Sequence, residues 1–153
     1  MAERVRILGI GFSGFAPTTP GVSYKELMFD AARNAYADAG VDPRTQIDSF
    51  VCASEDLQEG TSIFDEYVPD QLGAVQRPVH TVASDGLFAL ATGVMLIRSG
   101  VARIVAVEAH QFEQADLRDR IAVAVIRHDQ RGNNGQRQRD LDADRRAVAG
   151  TIF

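Results

Sequence analysis

Apolar residues along this chain fall into short β-branched runs that alternate with longer stretches of helical period. That pattern predicts an α/β fold with a mixed, mostly parallel sheet and helices on both of its faces. Val5 to Gly11 is short, largely β-branched and closed by glycines, which reads as a strand with a sharp, glycine-rich turn at its far end. Pro17 and Pro20 then keep the chain irregular. Ser23 followed by Glu26 is a capping-box pair, so a helix is expected to start there. Leu27, Met28, Ala31, Ala32, Ala35, Tyr36 and Ala39 share one face of that helix, Lys25, Asp30, Arg33, Asn34 and Asp38 take the other, and Gly40 supplies the left-handed stop. After the Asp42-Pro43 turn, Ile47 to Ala53 reads as a second strand. Ser54 to Tyr67 is acidic and reads as a solvated excursion, Pro69 to Gly73 as a short helical piece, and Val79 to Val82 as a third strand introduced by Pro78.

The next segment departs from the amphipathic pattern. Leu87 to Ile97 is apolar on every side apart from Thr92 and Gly93. A helix without a polar face has to be covered all round, and this one is too short to span a bilayer. It is expected to be the buried central helix of a layered protein or of a dimer. Gly100 ends it, and Ala102 to Val107 forms a fourth strand that finishes at Glu108. Beyond Gln111, Ile121 to Ile126 reads as an edge strand. Arg, Gln, Asn and Asp crowd His128 to Arg146 with almost no apolar periodicity, as in a disordered tail. The expected organisation is one α/β domain over residues 1–110, a partial continuation over 111–127 and a polar, aberrant tail over 128–153.

Composition narrows the class but does not choose a function. With 153 residues, 45% hydrophobic and 24% charged, the chain can bury a core without disulfides or a structural metal. Cys52 is its single cysteine, which excludes a disulfide scaffold or a multi-cysteine zinc site and suggests a reducing compartment. The chain carries 21 acidic against 16 basic residues, for a net charge of -5, and offers no platform for nucleic acid or anionic lipid. No apolar run reaches membrane length, and the N-terminus lacks a secretory pattern. A soluble, cytoplasmic protein is expected, with no metal and no cofactor.

Several motifs carry candidate chemistry. Gly9-Ile10-Gly11-Phe12-Ser13-Gly14 matches a dinucleotide fingerprint after a strand, but Pro17 and Pro20 block the helix that must come next, and no acidic strand end lies about 20 residues on. Cys52 lies in an apolar strand with no basic neighbour in sequence, as a buried structural thiol would. His80 and His110 lie at strand ends, and both read as structural or solvated. His128 falls in the polar tail. The acidic run from Glu55 to Glu66 lacks the spacing and glycine of an EF-hand. Thr81 to Gly86 joins a strand to the apolar helix. Such a turn aims backbone N–H groups and the helix dipole at a nucleophile or anion, and its Thr81, Ser84 and Asp85 can equally cap the helix.

The order of these segments over residues 5–109 resembles the N-terminal half of a thiolase. The resemblance is to the branch of sterol carrier protein X-type and archaeal-type acetyl-CoA acetyltransferases. It rests on VRILGIGFSGF, on YKELMFDAARNAYADAGVDPRTQID leading into FVCAS, and above all on ASDGLFALATGVMLIRSGVARIVAVEAH. In that family the last stretch runs from a cysteine, two small residues and a glycine, through a buried helix ending in glycine, to a strand entering a glutamate. Gly86, Ala89, Gly100 and Glu108 fit that pattern. The resemblance implies that the helix-start cysteine is the acyl-accepting nucleophile, and counting back from Gly86 and Ala89 places it at Ala83, whose methyl group cannot hold an acyl chain. Ser84 is adjacent, but a serine needs a base, and an offset of one residue turns its side chain elsewhere. The family's catalytic histidine, oxyanion-hole asparagine and second cysteine lie in a C-terminal half that this sequence does not contain.

The resemblance implies a thiolase-like, acyl-CoA-handling protein or subunit that has lost acyl-transfer chemistry. The backbone of Ala83, Ser84, Asp85 and Gly86 would face acyl-CoA as substrate or ligand. A homodimer formed along the flank of Val79 to Val82, or a complex with a thiolase C-terminal half or an OB-fold partner, is implied as well. Alternatives are a non-catalytic interaction or remnant protein, and half of a split acyltransferase or aldolase-type complex. Lys25 is the only lysine, which suggests a GC-rich coding sequence. Together with the unusual tail, this leads to the expectation of a change of reading frame shortly after the Arg118 to Ile121 region.

Overall fold

The computed structural model describes residues 4–14, 21–54, 69–111 and 120–129. The acidic run from Glu55 to Glu66 and nearly all of the expected tail lie outside them. In chain order the elements are β1 (Arg4–Ser13), α1 (Tyr24–Ala39), α2 (Pro43–Gln46), β2 (Ser49–Ser54), α3 (Pro69–Leu72), β3 (Val79–Val82), α4 (Gly86–Arg98), β4 (Ile104–Gln111) and β5 (Arg120–Asp129).

The five strands form one sheet in the order β1-β5-β4-β2-β3. β2 pairs in parallel with both β3 and β4, whereas β5 runs antiparallel to both β4 and β1. Four of the five strands therefore point the same way, and the mixed, mostly parallel sheet expected from the sequence is present. β5 corrects the sequence reading in two respects. It is not an edge strand but lies inside the sheet between β1 and β4, and it reaches Asp129, so that His128 pairs with Val5 instead of opening the tail. The alternation of buried Ile121, Val123 and Val125 fits this strand to the face under α1. Residues 120–129 thus belong to the sheet.

α1 starts as its capping box dictates. The Glu26 backbone N–H donates to Ser23 Oγ at 3.3 Å, and Ser23 N–H donates to Glu26 Oε2 at 2.8 Å. Those bonds hold the Glu26 carboxyl below its usual range. The helix ends at Gly40 with φ 65°, and its buried residues are Leu27, Met28, Ala31, Ala32, Ala35 and Tyr36, the face expected from their spacing. They pack with Phe50, Cys52, Ala106, Ile121, Val123 and Val125 into one half of the core.

Gly9 and Gly11 let α1 settle directly on β1. A Cβ at Gly9 would lie 2.3 Å from Ala39 N, and one at Gly11 2.1 Å from Ala31 O. The turn expected from this glycine-rich run comes later, at Gly14 with φ 79°. Gly9 and Gly11 themselves lie within the strand, and their role is close packing.

α4 covers the other face. Ala89, Gly93 and Ile97 are buried against Val105, Val107 and Ile126. Among the described residues this helix is covered on one side only: Leu87, Phe88 and Met95 are exposed at 72%, 60% and 61%. At the amino end of the sheet, Asp48 accepts from the backbone N–H groups of Arg103 and Ile104 and pairs with the Arg103 guanidinium. Burial alone pushes the Asp48 carboxyl up, but these donors outweigh it and hold the carboxyl below its usual range.

Candidate functional site

The three parallel strands bring their carboxyl ends together, with Val82, Ala53 and Ala109 side by side. In open α/β sheets that edge is where ligands gather. β3 stops at Val82, and Ala83, Ser84 and Asp85 carry the chain into α4. Ser84 N–H donates to Val82 O at 2.9 Å, which tightens the turn. Ala83 and Asp85 are exposed, whereas Ser84 and Gly86 are half-buried. Gly86 allows the helix start to rest on β4, because a Cβ there would come 2.6 Å from Ala109 Cβ.

Asp85 is the N-cap of α4. Its Oδ1 accepts from Leu87 N–H at 2.9 Å and Phe88 N–H at 3.1 Å. Of the two uses the sequence allows for this turn, capping is therefore in place. Two of the amides at the helix start are already engaged by a carboxylate of the chain itself.

The other face of the same strand ends carries a group whose members look unrelated in the sequence. In a strand, residues two apart share a face, so Glu108 and His110 point together toward α1 while Ala109 points toward α4. His110 Nδ1 lies 3.0 Å from Glu108 Oε1, and both side chains are buried. Cys52 stands beside Glu108 in the parallel register of β2, with its thiol within hydrogen-bonding reach of that carboxyl. Thr81 is level with Cys52 on β3. Tyr36 reaches in from α1 and donates from its hydroxyl to Leu72 O at 2.8 Å.

Burial raises the Tyr36 phenol above its ordinary value, with further contributions from Cys52 and Glu108. Burial likewise raises Glu108, and the His110 and Cys52 hydrogen bonds oppose that shift without cancelling it. The signal that points to this pair is the i, i+2 spacing in a strand. It is hidden in the sequence because burial cannot be read at one position alone.

The other candidates separate. Cys52 is a buried free thiol, as the apolar strand around it indicates. His110 is structural in the sense of being buried and paired, not solvated. His80 lies mid-strand in β3 and is half-buried. Because Glu108 and His110 face α1, the imidazole is not aimed at the Ala83–Gly86 turn, which sits on the α4 side. Among the described residues no cluster of His, Cys, Asp and Glu could hold a metal ion, and no helix is long and apolar enough to cross a membrane.

No protein-family model matches the chain, and no curated protein sequence does. Solved structures do. A 3-oxoacyl-[acyl-carrier-protein] synthase III from Aquifex aeolicus VF5 superposes with a TM-score of 0.66 at 15% identity, over 83% of this chain and 55% of its own. The priming β-ketosynthase of the R1128 polyketide pathway gives 0.66 at 20% identity, over 82% and 50%. The fold is that of the thiolase-like condensing enzymes. The tetronic acid condensing enzyme AbyA1 has the same thiolase-like fold, with a TM-score of 0.65 at 19% identity over 86% of this chain and 56% of its own. This chain therefore spans about half the length of the condensing enzymes it matches.

Proposed function

We propose that this chain handles acyl-CoA thioesters at the turn between β3 and α4 without forming a covalent acyl-enzyme. In this reading it works as one α/β half beside a second. The observation that carries the reading is Ala83, a methyl group on an exposed turn at the carboxyl edge of a thiolase-like sheet. By the resemblance over residues 5–109, that position belongs to the acyl-accepting cysteine of the sterol carrier protein X-type and archaeal-type branch. A methyl group offers no lone pair to attack a thioester. Ser84 N–H is held by Val82 O, and the backbone N–H groups of Ala83, Asp85 and Gly86 would meet the thioester oxygen. The matched structures include 3-oxoacyl-[acyl-carrier-protein] synthases III by name, and their chains are about twice as long as the stretch matched here.

Three features support a second half or a second copy. These are the outward Leu87, Phe88 and Met95, the edge of β3 that no described strand pairs with, and the residues of β1 that face away from α1. A binding role without catalysis is favoured by Asp85, whose carboxylate already takes two of the first-turn amides that could otherwise stabilise a developing oxyanion.

The test is incubation with radiolabelled acetyl-CoA, followed by equilibrium dialysis and by denaturation. Label bound in dialysis and lost completely on denaturation is the expected result. Label that survives denaturation would overturn the non-covalent reading, and absence of label in dialysis would favour a protein that binds a partner of another class.

A further inference from the structure

Among the described strands β1 pairs with β5 alone, and the two halves of β1 differ. Gly9 to Ser13 runs in unbroken register with Val125 to Ile121, whereas the register shifts between Ile7 and Gly9. Such a shift bends a strand away from a new neighbour, and the charged Arg4 and Arg6 precede it. Gly9 to Ser13 is therefore the flat part of the strand, and it carries Ile10 and Phe12, exposed at 57% and 66%. A flat, apolar edge is a template for strand addition by another chain.

One bond interrupts that template. The Ile10 backbone N–H donates to Asp38 Oδ2 at 3.0 Å. Ile10 stands opposite Ala124, and since its N–H goes to Asp38 it points away from β5, out of the sheet. Asp38 reaches it because α1 settles so closely on β1. A Cβ on Gly9 would lie 2.8 Å from Cα of Ala39, the residue after Asp38.

We propose that Asp38 is a guard residue, which closes the edge of β1 to strand addition by a second copy of this chain. An incoming strand needs the Ile10 N–H for its own carbonyl group. To take it, the strand must displace a charge-assisted hydrogen bond and cover the carboxylate it has freed. A second copy is the partner that fits, because two β1 strands paired antiparallel about a two-fold axis set Ile10 of one opposite Phe12 of the other on a single face. The Ala83–Gly86 turn plays no part in this.

The test is light scattering of the full chain at matched concentrations. The proteins are the wild type, Asp38→Ala, and Asp38→Ala combined with Ile10→Pro, each with its fold checked by circular dichroism. Proline has no N–H, and where the N–H faces outward from an edge it blocks pairing without breaking the sheet. Folded Asp38→Ala is expected to self-associate about tenfold more tightly than the wild type, the factor that one hydrogen bond to a charged group corresponds to. Adding Ile10→Pro returns the mass to that of the wild type. An unchanged mass in folded Asp38→Ala would overturn the guard, as would association that survives Ile10→Pro. Hydrogen exchange in the wild type gives a reading that needs no variant to fold. The Ile10 amide is expected to exchange slowly although its side chain is exposed, and exchange at the rate of a free amide overturns the proposal.

Discussion

The two faces of the sheet are closed in different ways. Under α1, glycine meets backbone: Gly9 and Gly11 bring β1 so near the helix that any side chain would collide with the main chain of Ala31, Ala35 and Ala39. Under α4, a Cβ on the corresponding glycine, Gly93, would meet the ends of side chains, Val107 Cγ2 and Ile126 Cδ1, at 2.8 and 2.9 Å. The α1 face turns mostly polar residues to water, Phe29 being the exception, whereas the α4 face leaves Leu87, Phe88 and Met95 outside, and Ile10 and Phe12 of β1 exposed beside it. One face is finished by the chain itself. The other keeps an apolar surface that no described residue covers.

The sharpest way to break this comparison is to add volume on each side. Gly11→Val should cost about 3 kcal/mol, the upper range for overpacking, because backbone cannot step aside. Urea unfolding should show it, or the protein should fail to fold. Gly93→Ala should cost about 1–2 kcal/mol in the same measurement, since the ends of Val107 and Ile126 can turn. Equal losses would mean that the two faces are alike. Asp85→Ala removes the acceptor for two first-turn N–H groups and should cost about 1 kcal/mol, read as a lower urea midpoint with unchanged slope. The smallest effect belongs to the outer face of α4. Replacing Leu87, Phe88 and Met95 with Gln should move the stability of the single chain by about 0.5 kcal/mol or less. If that face seats a partner, the same variant should show a lower mass by light scattering.

The open face also explains where the sequence is informative and where it stops being so. α1 is legible in full, because its cap, its apolar stripe and its glycine stop are local features that agree with one another. The apolar character of α4 is legible too, but not that the described residues cover it on one side alone. Coverage depends on what else is present, and no residue of the helix records that. The expectation of an edge strand at Ile121 to Ile126 fails for a related reason. Its apolar pattern fits an edge or an interior strand equally well, and strand order is fixed by pairings distant in sequence. The glycines of the first strand suggest a turn because their contact lies on a helix that begins more than a dozen residues later. At the site, the turn from Ala83 to Gly86 can be located from the residues alone. The Glu108–His110 pair cannot, because its meaning comes from α1 lying over it.

The position of β5 has a consequence for the order of events during synthesis. Among the described strands β1 pairs with β5 alone, Arg4 opposite Asp129 and Ser13 opposite Ile121. β1 thus has no neighbour among the described strands until β5, the last of them, has been made. β2, β3 and β4 and both long helices can assemble before that moment, with β1 held against α1 by close packing at its glycines and by the Ile10 N–H bond to Asp38. Pairings that span so much of the chain are slow to form, and until β5 arrives β4 and β1 each present an open edge to other chains. The sheet is completed from its middle, and the nascent chain is most exposed to wrong partners just before its last described strand appears.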